Sequence, residues 1–157
     1  MVHTGSVAQM WDAFASACPD LVGPRATYSS WHFCDNQADA DELAELVRVG
    51  RKRATSGAFW SYAADKEPLP RVGDFSVITD WQGDAQCVIR TTVVEVVPFE
   101  AVSAEFAAAE GEGDGSLEQW REAHWAAFER ELARGGRSPQ LDMPVVCERF
   151  DVVWTGR

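Results

Sequence analysis

Apolar residues recur at helical spacing at Val7, Met10, Trp11, Phe14 and Ala15, and Pro19 forbids continuation, so the pattern predicts a first helix over Val7–Ala17. A second stripe, Leu43, Leu46 and Val47 with flanking alanines, predicts a helix from about Gln37 to Val49 that Gly50 can end in the left-handed conformation. Ala54–Tyr62 suits an extended segment, and Lys66-Glu67-Pro68-Leu69-Pro70 breaks regular structure. Phe75–Thr79 and the Val-, Thr- and Ile-rich run Ala85–Val97 predict two strands joined through Gly83-Asp84 as a hairpin, the second ending at Pro98. A short helix is expected over Phe99–Ala108. The loop Glu110-Gly111-Glu112-Gly113-Asp114 follows, and its glycines and like charges turn it toward water or a ligand. Ser116 and Gln119 make a capping box for a helix to about Arg134, with Leu117, Trp120, His124, Phe128 and Leu132 on one side and Gly135-Gly136 as its stop. Val145–Trp154 then alternates as a last strand. The order predicts an α+β domain, a small curved sheet or barrel flanked by helices.

Composition narrows the function classes. The 157 residues, 46% of them hydrophobic and including seven Trp and eight Phe, suffice for one core, and no repeat or long Pro/Gly/Ser stretch divides the chain. A formal charge of −11 repels polyanions at long range, which argues against coating double-stranded DNA. No apolar run approaches the roughly twenty residues of a membrane span, and no basic stretch leads into an apolar core near the N-terminus, so a cytoplasmic protein with no membrane partner is expected. Cys18, Cys34, Cys87 and Cys147 lack paired spacing and read as reduced thiols.

The strongest local anomaly is the basic turn. Arg48, Arg51, Lys52 and Arg53 fall within six positions of an acidic chain, a cluster able to hold a phosphate or carboxylate, or simply to solvate a helix C-terminus. Only Lys52 and Lys66 of the fourteen basic residues are lysines, and lysine is the basic side chain that burial can neutralise. A neutral Lys52 could activate the Thr55 hydroxyl as a nucleophile. Crowding among Glu110, Glu112 and Asp114 could raise one carboxyl's pKa and make it an acid. Trp31, Trp60, Tyr62 and Trp81 offer either core aromatics or stacking faces for a base. His32 and His124 have no helical partner at ligand spacing, so no built-in metal site is expected.

In order along the chain, Tyr28-Ser29-Ser30-Trp31-His32-Phe33-Cys34-Asp35, Gly50-Arg51-Lys52-Arg53-Ala54-Thr55, Pro70-Arg71-Val72-Gly73-Asp74, Ala109 to Asp114, Trp120 to Trp125 and Pro144 to Phe150 resemble the ASCH family, a branch of the PUA-like β-barrels. Arg53 stands where the family usually has threonine and Cys34 where it has glycine. The resemblance implies a single PUA-like barrel domain with an N-terminal helical extension over about residues 1–27. It also implies a cleft for single-stranded RNA or a modified nucleoside. Its activities include metal-assisted ribonucleases on single-stranded RNA, for which manganese or magnesium would be borrowed, and amidohydrolases that deacetylate acetylcytidine; a non-catalytic binding module is a further alternative. In the amidohydrolases the motif carries a lysine proton acceptor, a threonine nucleophile and a glutamate proton donor, matching Lys52, Thr55 and Glu112, with Glu110 an alternative to Glu112. Arg51 and Arg53 would then stabilise phosphoryl charge, and Trp31, Trp60 and Tyr62 would hold the substrate.

Overall fold

The computed structural model describes residues 4–156. Its helices and strands run in the order α1 (Thr4–Ala17), α2 (Pro19–Val22), β1 (Tyr28–Trp31), α3 (Gln37–Arg48), β2 (Ala54–Ala58), α4 (Phe59–Asp65), β3 (Phe75–Thr79), β4 (Ala85–Pro98), α5 (Ala104–Glu110), α6 (Leu117–Ala133) and β5 (Pro144–Trp154), with a 3₁₀ turn at Phe99–Ala101. The five strands form one mixed sheet in the order β1-β3-β4-β5-β2, parallel only between β1 and β3. The β4–β5 ribbon is its spine, bent by register shifts at Val88/Ile89 and Thr91/Val93.

Alternation along β3 and β4 decides where the helices go. Val77 and Val88 pack with Val7, Trp11 and Phe14 of α1, whereas their neighbours Ile78 and Ile89 pack with Leu43, Ala44 and Val47 of α3. Successive strand side chains point to opposite faces, so α1 and α3 cover the two sides, and β3 is buried throughout. A third cluster joins β2 and β5 to α5 and α6 through Ala54, Phe106, Trp120, Phe128 and Val145. Among the described residues no helix is long and apolar enough to cross a membrane.

Several expectations change. The sheet does not close into a barrel: β1 and β2 lie at opposite edges and do not pair with each other. The extended segment expected over Ala54–Tyr62 stops at Ala58, where the chain turns into α4, which ends at Lys66 in the left-handed conformation. The acidic segment is not a free loop, because Glu110 is the last residue of α5 and only 1% exposed. The capping box is half formed: Ser116 accepts from the Gln119 N–H, but the Gln119 side chain accepts from the Asp114 N–H instead of returning to Ser116.

The helix at the chain's start is part of the core, since Phe14 is fully buried against Phe75 and Trp11. Phe14→Ala is expected to lower stability by about 3–5 kcal/mol in urea unfolding.

Candidate active site

Two glycines bring the basic turn and the acidic segment together. α3 ends in a double bond pattern, Gly50 N–H to Val47 O and Arg51 N–H to Leu46 O, that requires Gly50 at φ +83°. The chain then folds back, and the Arg53 N–H donates to Ala109 O of α5 at 2.8 Å. At the other side Gly111 ends α5 at φ +67°, and a Cβ there would collide with the Arg51 carbonyl. Only glycine allows this approach.

Lys52 points inward at that junction. Its ammonium, 1% exposed, donates to Ala54 O at 2.8 Å, Glu110 Oε1 at 3.1 Å and Glu112 Oε2 at 3.1 Å, and lies 5.3 Å from the centre of the Phe33 ring. Three N–H donors meet three acceptors, which is the arrangement of a charged lysine. Burial opposes that charge, but the two glutamates outweigh it and raise the Lys52 pKa above its ordinary value. Lys52 makes no hydrogen bond to Thr55, so the base–nucleophile contact read from the sequence is not formed here.

Glu110 is surrounded by donors. Its Oε2 accepts from Ser56 Oγ at 2.7 Å, from Trp120 Nε1, and from His124 Nε2 at 3.3 Å. His124 Nδ1 lies 2.9 Å from the Trp120 carbonyl, which can only accept, so Nδ1 carries a proton. Nε2 faces the Glu110 carboxylate, which favours a second proton there and so the imidazolium form of the ring that stacks on Trp120. Burial works against this charge, and the hydrogen bond and charge of Glu110 overcome it to raise the His124 pKa. Burial likewise opposes the Glu110 anion, while Lys52, His124 and Trp120 hold its carboxyl well below the usual range. Glu112 goes the other way: burial and the adjacent Glu110 charge raise its pKa despite the pull of Lys52. Its side chain is 31% exposed, so this carboxyl reaches solvent.

Two adjoining hollows open beside the cluster, of about 620 and 340 Å³, both within the range of small-molecule sites. They share a wall of Phe33, Cys34, Thr55, Ser56, Gly57 and Glu131. The smaller holds Lys52, Glu110, Glu112 and His124 together with Arg130 and Arg134 of α6. The larger is lined by Trp31 and Tyr62 and by Asp65, Glu67, Asp74 and Glu148; no Lys or Arg lines it among the described residues. The Tyr62 ring lies so close to Gly57 that a Cβ there would be 3.2 Å from Cε2.

The ASCH domain family model matches residues 29–154. The chain belongs to the ASCH domain family. The structure resembles the crystal structure of an ASCH domain from Lactobacillus crispatus JV V101, with a TM-score of 0.87 and 32% identity over 98% of this chain and 99% of that one. It is similar also to a protein from Enterococcus faecalis V583, with a TM-score of 0.84 and 33% identity over 96% and 89% of the two chains. No match is found among curated proteins.

Of the residues singled out in this ASCH sequence, Lys52, Glu110 and Glu112 form one cluster, Thr55 lines both hollows, and Trp31 and Tyr62 line the larger. Arg51 and Arg53 are exposed and line neither; Arg51 donates to Gly113 O at 3.3 Å. Trp60 packs against the core under Arg137, whose guanidinium lies 4.6 Å from the ring centre. Sequence reasoning sets His124 aside as a metal ligand and gives no role to Arg130, Arg134 or Glu148. For the α6 residues a signal existed, because Glu131 and Arg134 continue the helical face that carries His124.

Glu110, Glu112 and His124 bring three ligand atoms within 4.8 Å of one another, the one group of this kind among the described residues. They do not fit a divalent cation as they stand. Lys52 already occupies an oxygen of each carboxylate, Glu110 Oε2 has three donors, and His124 presents a proton, not a lone pair.

Lys52→Met is expected to cost about 3–5 kcal/mol in urea unfolding, because Glu110 stays buried without its cation. The folded His124 pKa lies above 6.5, so its stabilising contribution is complete below 6.5 and is lost as pH rises through the folded value. The folded Glu110 pKa lies below 4.5, so its contribution is complete above 4.5 and is lost only as pH falls toward the folded value. Unfolding measured from pH 6 to pH 9 should show stability falling on the alkaline side, with that decline flattened in His124→Gln.

Proposed function

We propose that this ASCH domain binds one nucleotide unit of single-stranded RNA across the paired hollows and hydrolyses the chain there, with Glu112 as proton donor. The division of charge carries this reading. An uncharged base suits the larger hollow, where Trp31 and Tyr62 offer ring faces and every charged liner is a carboxylate. A phosphate suits the smaller, where Lys52, Arg130 and Arg134, the Lys and Arg side chains that line either hollow among the described residues, stand beside the carboxylates Asp35, Asp39, Glu110, Glu112 and Glu131. Membership of the family supports an RNA-binding domain in general. The net charge of −11 does not oppose a local phosphate, because solvent screens distant charges beyond about 10 Å.

Hydrolysis needs a proton at the leaving oxygen, and Glu112 has the raised pKa and the solvent access to supply it. Its Oε2 accepts from Lys52, which leaves Oε1 to carry the proton. Water adds to phosphorus and releases a proton to solvent, the bond to the leaving oxygen breaks, and that oxygen takes the Glu112 proton. Lys52 steadies the carboxylate left behind.

A second reading, deacetylation of acetylcytidine, is favoured by Thr55. It is half-buried, faces both hollows, and its hydroxyl makes no hydrogen bond to another described residue. Its activation requires Lys52 to leave its carboxylates and turn toward Thr55.

The test is incubation with labelled single-stranded RNA and, separately, with acetylated cytidine, each with and without manganese. RNA cleavage by the wild type, reduced about 10²–10⁴-fold in Glu112→Gln and little changed in Thr55→Ala, is the expected result. Release of acetate that vanishes in Thr55→Ala would establish the second reading instead. RNA left intact in every condition, or cleaved equally by Glu112→Gln, overturns the first.

A further inference from the structure

Glu148 has no part in the chemistry above, yet it is among the least comfortable side chains in the molecule. It stands on β5 directly opposite Thr55 of β2 and is 7% exposed. Thr91 of β4 donates to its Oε2 at 2.7 Å. It has no salt-bridge partner among the described residues, and its Oε1 accepts from none of them. A carboxyl this buried is ordinarily matched by a cation or by several donors, as Glu110 is. Here one wall of its environment is the larger hollow, which it lines with Tyr62, Asp74 and Thr91. Burial first, and then the nearby Asp74, raise its pKa, with the Thr91 bond opposing, as expected of an acid that lacks a partner inside the protein.

An unfilled acceptor at a cavity wall, held in orientation by a neighbouring hydroxyl, is how a site reads a donor on its ligand. The other charged groups around this hollow, Asp65, Glu67, Asp74 and Glu131, are carboxylates as well. The edge of a ligand that faces them must present N–H groups. Cytosine, adenine and guanine each carry an exocyclic amine, whereas uracil sets two carbonyl oxygens around a single N–H, and those oxygens would face carboxylate oxygens.

We propose that Glu148, oriented by Thr91, is the base-recognition residue of the larger hollow and selects nucleobases that carry an exocyclic amino group over uracil. The inference rests on the reading that a base seats in this hollow, and it adds which bases are accepted. Glu148 lies across the strand pair from Thr55, which lines both hollows, so the recognition residue stands beside the wall that the two hollows share.

Calorimetric titration of the wild type with cytidine, adenosine, guanosine and uridine tests it. At least one amino-bearing nucleoside is expected to bind about tenfold or more tightly than uridine, the margin of one hydrogen bond to a buried acceptor. Glu148→Gln, which keeps the shape and halves the acceptor capacity, should bring that ratio within about threefold, and Thr91→Val, which frees the carboxyl to rotate, should also narrow it. Uridine bound as tightly as the amino nucleosides by the wild type overturns the selection without any variant. So does a ratio unchanged in a folded Glu148→Gln protein, and in both cases the nucleotide-binding reading survives. A wild type that binds no nucleoside and no single-stranded RNA overturns that reading and the inference with it.

Discussion

The Lys52 ammonium draws all three of its hydrogen bonds from within the protein, and two of the acceptors are glutamates that lie 58 and 60 residues away in sequence. Burying this charge is costly, and the cost is offset only where the acceptors are already in place. The turn after α3 and the end of α5 must therefore be held to a close tolerance. The backbone supplies that tolerance through the Arg53–Ala109 hydrogen bond and the close approach that Gly111 permits. The helix α6 then closes the cluster with Trp120 and His124. The geometry of the candidate site follows from one buried ion pair and its need for complete hydrogen bonding.

The open sheet gives this cluster its access to solvent. β2 is an edge strand, paired only with β5, and its residues Thr55, Ser56 and Gly57 form the wall common to both hollows. Ser56 turns its hydroxyl to Glu110, while Thr55 stays without a partner among the described residues. A side chain at Gly57 would crowd Tyr62, from the helix that follows immediately, which packs against it. A barrel closed through this edge would cover the strand. A short edge strand leading straight into a helix instead leaves a cleft between the sheet, α4 and α6.

The elements with local signals were legible in the sequence. The stop of α3 at Gly50 and the β3–β4 hairpin each follow from a glycine or a run of β-branched residues within a few positions. What escaped was decided at a distance. Ala54–Tyr62 contains Thr55, Trp60 and Tyr62, all at home in strands, yet its second half is α4, where Trp60 packs under Arg137 and Tyr62 on Gly57. Two acids spaced by a glycine look solvent-exposed until the cation that buries Glu110 is supplied from the turn after α3. His124 has no ligand or ion partner near it in sequence, yet its ring lies against Glu110 once α6 docks. Whether β1 and β2 meet to close a barrel depends on the whole sheet's twist, which no single segment encodes.

The charges of the cluster explain how one carboxyl can both keep and give up a proton. With Lys52 and His124 as cations and Glu110 as an anion, the group carries one net positive charge when Glu112 is protonated and is neutral when Glu112 is ionised. Burial and the neighbouring Glu110 favour the protonated form, while Lys52 and His124 favour the ionised one. The net effect raises the pKa of the one carboxyl of the cluster that reaches solvent. Glu110, fully bonded and buried, has no such freedom and holds Lys52, Ser56, Trp120 and His124 in place. On the proposed reading, a phosphate entering beside Arg130 and Arg134 would bring negative charge toward Glu112 and strengthen its hold on the proton until the leaving oxygen developed enough charge to take it.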